Sequence, residues 1–159
     1  NTHCHFDHVF GNQYVFDTWG LTPNIHPLEK PVLDRAAEAA GRWMIPFANY
    51  TGPVSYLEEG DQLEWAGETF SIFHVPGHSP GSIAFYHADQ GILFGGDVLF
   101  QGSVGRTDLP GGDSATLEAS IQQKIYTLPP KTKVYPGHGL PTSVDVERRS
   151  NPFVKAKDV

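Results

Sequence analysis

The first eight residues of the chain concentrate side chains that bind metals. They read Asn-Thr-His-Cys-His-Phe-Asp-His, so three imidazoles and one carboxylate lie within six positions. Neutral imidazole and carboxylate groups are ligands suited to zinc, and to iron or manganese as well. Alternate residues of an extended segment share a face, which places His3, His5 and Asp7 together. His8 joins them if a helix starts there.

Four ligands from one short segment are too many for a single site that keeps an open position, so we predict that two metals share it. His3 and His5 are assigned to the first metal. Asp7 and His8 are assigned to the second. A surface histidine cluster or a tag remnant is the alternative interpretation. It is disfavoured because tags rarely contain aspartate and aromatic residues, and because histidines recur downstream beside glycines.

Three further candidate ligands each follow a strand-like run. His78 lies in Pro-Gly-His-Ser-Pro-Gly, Asp97 in Gly-Gly-Asp, and His138 in Pro-Gly-His-Gly. Such turns let a side chain at the end of a strand face a shared cleft while the backbone stays close to a ligand. Each residue taken alone is more typical of an ordinary polar turn. Together with the opening segment, they predict one metal centre.

Hydrophobic spacing predicts the elements that must position these side chains. Helices are predicted over 9–19, ending at Gly20, over 31–43 and over 143–150. A further helix is predicted after Asp113, which caps it, and its apolar face is formed by Leu117, Ile121 and Ile125. Strands are predicted over 21–26, 69–74, 82–87, 91–95 and 133–135, with 82–87 and 91–95 forming a hairpin. Residues 44–59 are predicted as a loop, with a lid over the site as one role. Its aromatics Phe47, Tyr50 and Tyr56 either line a pocket or pack the loop down.

Composition narrows the class of protein. A chain of 159 residues fits one domain, 1–159, with room for a core. The net charge is −7 and no lysine or arginine stripe is present, which argues against a nucleic-acid partner. No apolar run approaches the length of a membrane span and no signal-peptide pattern opens the chain, so the cytoplasm is the default expectation. The single cysteine, Cys4, excludes an internal disulfide and is interpreted as a packed thiol.

These motifs resemble the metallo-β-lactamase superfamily. The stretches Pro76–Ser82, Gly96-Asp97, Gly105–Asp108 and Pro136–Gly139 narrow the resemblance to the small hydroxyacylglutathione hydrolase-like (glyoxalase II-like) branch. The resemblance implies an α/β (α+β) fold, the αββα sandwich. It also implies two divalent metals, zinc first, with iron or manganese as alternatives. The implied ligands are His3, His5 and His78 for metal 1, Asp7, His8 and His138 for metal 2, and Asp97 as the bridge.

The implied activity is hydrolysis of a small-molecule thioester by a metal-bound hydroxide, which needs no serine or cysteine nucleophile. Asp7 would orient the attacking water. Arg106 is a candidate for holding a substrate carboxylate, although pairing with Asp108 in its own loop is an equal alternative. Glyoxalase II proper carries glutathione contacts in a helical C-terminal region. Only 21 residues follow His138 here, so these contacts have no counterpart.

Two other functions remain open at this point. A persulfide dioxygenase-like enzyme shares the fold and uses one iron held by the counterparts of His3, His78 and Asp97. The clean second-site ligand His138 argues against it. An inactive or partner-dependent fragment is the non-enzymatic alternative. A true β-lactamase is disfavoured because the common class has a cysteine ligand where this chain has Asp97.

The resemblance also predicts a missing half, because members of this superfamily carry strands and a helix ahead of the histidine motif. Some of the side chains in strand-like runs would then face an absent sheet, and the candidates are Phe70, Ile72, Phe85, Ile92 and Phe94. Burying one such side chain stabilises the folded state by about 1.5–3 kcal/mol, whereas the net free energy of unfolding of a whole domain is only about 5–15 kcal/mol. We therefore predict that the chain forms a homo-oligomer or stays with a separate N-terminal piece. Light scattering and intact mass test this, and a stable, cooperative monomer that turns over thioester would contradict it.

Overall fold

The computed structural model describes residues 1–156 and has a mixed α/β architecture. The helices are α1 (Phe6–Val9), α2 (Asn12–Trp19), α3 (Lys30–Asp34), α4 (Ala36–Gly41), α5 (Ser114–Ser120) and α6 (Val144–Ser150). The strands are β1 (Asn24–Ile25), β2 (Ser55–Tyr56), β3 (Gln62–Trp65), β4 (Glu68–His74), β5 (Ile83–His87), β6 (Ile92–Gly96), β7 (Leu99–Phe100), β8 (Ser103–Val104), β9 (Lys133–Pro136) and β10 (Thr142–Ser143). A 3₁₀ turn covers Pro27–Glu29, and a π-helical turn covers Ile121–Ile125. No helix within residues 1–156 is long and apolar enough to cross a membrane.

A six-stranded sheet organises the chain in the order β10-β9-β6-β5-β4-β3. Only β6 and β9 pair in parallel, and the other neighbours are antiparallel. Since β4 and β6 are both antiparallel to β5, strands β4, β6 and β9 all run in the same direction. The loops that follow these three strands therefore leave from the same edge of the sheet.

One face of the sheet is covered by the helical segment from α5 through the π-helical turn. Leu93 and Val134 on the sheet pack with Leu117, Ile121 and Ile125, and all five are buried. The predicted helix cap is confirmed, because the Asp113 carboxylate accepts a hydrogen bond from the Thr116 amide at 2.7 Å. The predicted spacing of inward residues holds across the change from α-helix to π-turn.

The opposite face of the same sheet is covered over only part of its area. Ile72 and Ile83 are fully buried beside Leu57. Toward the β6 side the cover stops, and Phe94 is 44% exposed although its ring contacts Phe70 and Tyr135. Strand β6 therefore buries Leu93 on one side and presents Phe94 to solvent on the other.

A second core lies under the N-terminal segment. Five buried side chains pack together in it, those of Cys4, Val9, Ile25, Leu33 and Tyr50. This core places the short parallel pair of β1 with β2 and the helices α3 and α4 beside the first eight residues. The N-terminal segment is thereby fixed on its inner side by apolar contacts.

The two long N-terminal helices predicted from the sequence are wrong in extent. The 9–19 helix is divided into α1 and α2 around Phe10 and Gly11, since glycine is a poor helix former. The 31–43 helix is divided at Arg35. There the Asn49 side chain accepts a hydrogen bond from the Ala37 amide and donates one to the Asp34 carbonyl. These bonds satisfy backbone groups that the break leaves free.

Other predicted elements hold with changed bounds. Gly20 ends α2 in a left-handed conformation, the 82–87 and 91–95 hairpin is present as β5 and β6, and the helix after Ser143 is α6. The 21–26 strand shrinks to two residues. The 44–59 segment is a loop except for β2, and its aromatics divide. Phe47 and Tyr50 pack against the second core, whereas Tyr56 is 49% exposed.

Adjacent residues on β6 give a direct test of this sheet. Leu93→Ala should lower the free energy of unfolding by about 2–5 kcal/mol, because it leaves a cavity in the closed core. Phe94→Ala should cost clearly less, since its ring is already partly in solvent. Urea unfolding of both variants measures the difference. Equal costs would contradict the exposed position of Phe94 and would indicate that something covers this face in solution.

Candidate metal centre

The shared direction of three strands explains how distant residues meet. His78 lies in the loop after β4, Asp97 directly follows β6, and His138 follows β9. All three loops leave from one edge of the sheet, so their side chains converge. The prediction that each residue sits in a turn at the end of a strand-like run is confirmed.

A hydrogen bond joins the N-terminal segment to the sheet near this edge. The Ile83 amide donates to the Thr2 carbonyl at 2.8 Å, which places Thr2 beside the start of β5. Because α1 begins at Phe6, Asp7 lies on the helix, so the extended segment on which a shared face was expected ends before it. The Asp7 carboxylate groups with His8 and His138, whereas His3 and His5 group with His78. The expectation that His8 enters through a helix is confirmed.

His3, His5 and His78 form the first group of ligand atoms. The three nitrogens lie within 4.8 Å of one another, and His5 Nδ1 is 2.9 Å from His78 Nε2. His3 and His78 are 1% and 3% exposed. His78 Nδ1 lies 2.8 Å from the Arg106 carbonyl oxygen, which fixes this nitrogen as the donor and leaves Nε2 free to bind a metal.

Asp7, His8 and His138 form the second group, again within 4.8 Å of one another. His138 Nε2 is 3.1 Å from the Asp7 carboxylate and 3.1 Å from His8 Nε2. This group is the outer one. The side chains of Asp7 and His138 are 41% and 57% exposed, so solvent reaches the centre from this side.

Asp97 lies between the two groups. One carboxylate oxygen is 3.6 Å from His78 Nε2 and 3.4 Å from His138 Nε2. The other is 3.5 Å from His8 Nε2. The structure therefore brings together all seven predicted side chains, with the carboxylate of Asp97 in contact with both groups.

The donor set fits two metal ions on evidence from the structure itself. His3 Nε2 and Asp97 Oδ1 are buried and make no hydrogen bond within the described residues, which is rare for buried polar atoms. The backbone at Gly137 approaches closely, since an added Cβ would lie 2.2 Å from Asp97 Oδ1 and 2.7 Å from His8 Cε1. The glycine before His138 is thus required by the packing of the centre.

The histidines of the first group are held neutral. Burial lowers the pKa of His3 well below its ordinary value, and the neighbouring His8 and His5 lower it further. Burial and the neighbouring imidazole of His78 lower the pKa of His5 to about 4. Burial also lowers the pKa of His78, against the bond to the Arg106 carbonyl. Neutral imidazole is the form that binds a metal.

The second group and the central carboxylate differ from the first. Burial lowers the pKa of His8, but the Asp97 carboxylate, 3.5 Å from His8 Nε2, and the charge of Asp7 outweigh it, so the pKa is raised overall. Burial raises the pKa of Asp97, yet the neighbouring imidazoles, His8 first, lower it overall. Asp97 is therefore ionised at neutral pH.

The remaining polar residues singled out in the sequence have other partners. Arg106 donates two hydrogen bonds of 2.7 Å to Asp108. Of its two predicted roles, the structure thus has the pairing within its own loop. Cys4 is fully buried and faces away from the ligands, and burial raises the pKa of its thiol. His26 and His74 stack at 4.1 Å between ring centroids.

Sequence reasoning missed Glu29, which is fully buried beside the first group. Its carboxylate accepts hydrogen bonds from Cys4, Ser79 and Gly81. It lies outside the predicted elements and motifs. The only local signal is the proline two residues before it, which opens the 3₁₀ turn.

The fold and the centre define a metal-binding α/β protein with two adjoining ligand groups. Comparison with known families identifies the class, since residues 1–138 match the family described as the metallo-β-lactamase superfamily. The chain belongs to the metallo-β-lactamase superfamily. The resemblance seen in its motifs is therefore confirmed, and so is the expected fold class.

Individual relatives add detail. The chain is 37% identical to hydroxyacylglutathione hydrolase GloC of Haemophilus influenzae over 162 residues, which is 98% of this chain and 74% of the relative. The crystal structure of TTHA1623 in a di-iron-bound form superposes with a TM-score of 0.89 at 44% identity, covering 96% of this chain and 75% of that one. The structure of the BLEG-1 B3 metallo-β-lactamase superposes with a TM-score of 0.84 at 42% identity, covering 96% and 74%.

The lowered pKa values predict how pH acts on the metal-free protein. His3, His5 and His78 have a lower pKa when folded than when unfolded, where it is about 6.5. Below about pH 6.5 the unfolded chain therefore binds more protons, and the folded state loses stability as pH falls toward 4. His8 has the opposite sign and offsets part of this loss.

Chemical unfolding of chelator-treated protein at pH 7.5, 6 and 5 measures this dependence. We expect the free energy of unfolding to fall steadily. His5→Asn removes one of the titrating groups and should flatten the slope. A free energy that rises on acidification would contradict the neutral state of the first group.

Proposed function

We propose that this protein is a metal-dependent hydrolase of the glyoxalase II-like type, which cleaves a small-molecule thioester. The observation that carries the proposal is the complete second group of ligands. Asp7, His8 and His138 lie within 3.1–3.4 Å of one another through their ligand atoms, and Asp97 joins them to the first group. A centre built for one metal has no need of this outer group.

The residues assigned to the metals follow the two groups. His3, His5 and His78 would hold one ion, Asp7, His8 and His138 the other, and Asp97 would contact both. When bound, two such cations supply a water molecule acidic enough to give hydroxide near neutral pH, together with polarisation of a carbonyl oxygen. Zinc is proposed first, with iron and manganese as alternatives, because imidazole and carboxylate donors suit all three. The di-iron form of TTHA1623 supports iron.

Asp7 is the residue proposed to orient the nucleophile. Its carboxylate lies at the open side of the centre, with one oxygen 3.1 Å from His138 Nε2 and 3.4 Å from His8 Nε2. An ionised carboxylate accepts hydrogen bonds, so it can hold a water molecule by its proton and direct the lone pair toward an incoming carbonyl. The exposed side chains of Asp7 and His138 leave room for a substrate to approach from solvent.

The thiol and the hydroxyl that directly adjoin the first group of ligands, those of Cys4 and Ser79, are not available as nucleophiles. Cys4 is buried in the second core, and burial raises the pKa of its thiol, which keeps it protonated. Ser79 is fully buried, and its hydroxyl donates a hydrogen bond to the Glu29 carboxylate. Attack by an activated water is therefore the chemistry that these residues favour.

The thioester substrate is supported by the likeness to GloC, which is named a hydroxyacylglutathione hydrolase. The proposal does not specify which acyl and thiol groups are accepted. The contact of Arg106 with a substrate carboxylate stays a prediction, and it would require the guanidinium to leave its ion pair with Asp108. The cytoplasm is the proposed location.

A mononuclear iron dioxygenase of the persulfide type is the second candidate. It is favoured by burial, because His3, His78 and Asp97 are the least exposed of the seven, at 1%, 3% and 8%. The outer His138 would then have no metal. The two candidates differ in metal content and in the reaction they support.

Metal analysis of two variants tests the assignment. Asp97→Ala should weaken both sites, because its carboxylate contacts both groups, whereas His138→Ala should leave about one metal per chain. Elemental analysis after dialysis gives the ratio. Equal losses in the two variants would count against a shared carboxylate.

Turnover separates the candidate activities in the same preparations. We expect the zinc-loaded protein to hydrolyse S-lactoylglutathione or a simpler acyl thioester, and His138→Ala to reduce kcat by at least about tenfold. A nitrocefin assay controls for β-lactamase activity. One iron per chain, oxygen uptake with a glutathione persulfide and full activity of His138→Ala would sink the hydrolase proposal in favour of the dioxygenase.

A further inference from the structure

Glu29 is a buried carboxylate that belongs to none of the ligand groups. It ends the 3₁₀ turn Pro27–Glu29 and is 0% exposed. Burying a carboxylate is unfavourable unless hydrogen bonds satisfy its oxygens. The surroundings of Glu29 are therefore built to hold it.

Both oxygens of Glu29 accept hydrogen bonds from backbone or hydroxyl donors. One accepts from the Cys4 amide at 2.6 Å. The other accepts from the Ser79 hydroxyl at 2.5 Å and from the Gly81 amide at 2.7 Å. All three partners are donors, which matches an ionised carboxylate, an acceptor only.

These donors lie next to the first group of ligands. Cys4 is the residue between His3 and His5, and Ser79 directly follows His78. One side chain thus ties together two segments that are separated by more than 70 residues of sequence. It fixes the backbone on both sides of the pair His5 and His78, whose ring nitrogens lie 2.9 Å apart.

The neighbouring sequence is adapted to this contact. A Cβ at Gly81 would lie 2.8 Å from Glu29 Cγ and 2.9 Å from its amide nitrogen, so only glycine fits there. The 3₁₀ turn is itself capped by His26, whose Nδ1 accepts a hydrogen bond from the Leu28 amide. Both features keep the Glu29 carboxylate at the junction of the two segments.

We propose that Glu29 is a positioning residue for the metal site of His3, His5 and His78. It holds the two ligand-bearing segments at their bound spacing before any metal arrives, and its negative charge balances part of the charge of a cation. The inference rests on the metal assignment in the proposed function. Partners of this kind, one shell beyond the ligands, typically change metal affinity by about 10–100-fold.

Glu29→Gln tests the proposal because the amide keeps the size of the side chain but loses the charge. Its NH₂ group meets one donor in one orientation and two in the other, so at least one hydrogen bond is lost. The measurement is a zinc titration against a chromophoric chelator in the His138→Ala background, where the first site alone should bind. We expect zinc affinity to fall by about 10–100-fold, with Ser79→Ala giving a smaller loss.

Glu147→Gln is the matched control. Glu147 is 1% exposed and accepts hydrogen bonds from Thr142, Gly102 and Asn151, none of which adjoins a ligand. This variant should lose stability in urea unfolding to a similar extent, while keeping the zinc affinity of its parent. If Glu29→Gln does not fold, Ser79→Ala carries the test, since it removes one donor and leaves the charge buried with two.

The outcomes separate the two proposals. Unchanged zinc affinity in Glu29→Gln, or in Ser79→Ala when the former does not fold, would overturn the positioning role while leaving the metal assignment intact. Equal losses of affinity in Glu29→Gln and Glu147→Gln would also overturn it, because a general loss of stability would then suffice. A His138→Ala parent that binds no zinc, together with a wild type that binds none, would overturn the metal assignment itself.

Discussion

The central physical constraint in this protein is the crowding of seven lone-pair donors at one sheet edge. Imidazole nitrogens lie 2.9–3.1 Å apart across the centre, with His3 Nε2 and Asp97 Oδ1 buried and unsatisfied. Such an arrangement is unfavourable by itself, because these two buried polar atoms have lost water and have no hydrogen-bond partner. The surrounding structure holds it in place. Strands β4, β6 and β9 point their ends at one place, and two separate cores fix the sheet and the N-terminal segment behind it.

Protonation states follow from the same crowding. Burial and mutual repulsion keep the inner histidines neutral, while the carboxylates of Asp97 and Asp7 raise the pKa of His8. The two halves of the centre thus differ in chemistry as well as in exposure. The inner half is enclosed and fixed by backbone contacts, and the outer half, with Asp7 and His138, meets solvent.

Much of this centre could be predicted from the sequence, since ligand chemistry is carried by residue type and short spacing. His3, His5 and His8 are recognisable as metal ligands by their close spacing, and His78 and His138 by the Pro-Gly turns before them. The sheet edge also followed from strand-like runs. What the sequence does not contain is the set of tertiary hydrogen bonds. Asn49 satisfies the break between α3 and α4 from outside the helix, and Glu29 joins segments that share no local pattern. The ligand group that Asp7 joins depends on where α1 begins, and sequence propensity predicts such a boundary only to within a few residues.

The metal centre also brings together residues that are far apart in the sequence. His5 meets a partner 73 positions away, and His8 meets one 130 positions away. Closing loops of that length is an entropic cost of folding. Ions that bind the centre would therefore link segments that lie far apart in the sequence. The stability gained from binding grows with the free metal concentration, so metal supply would set how strongly these segments are held together.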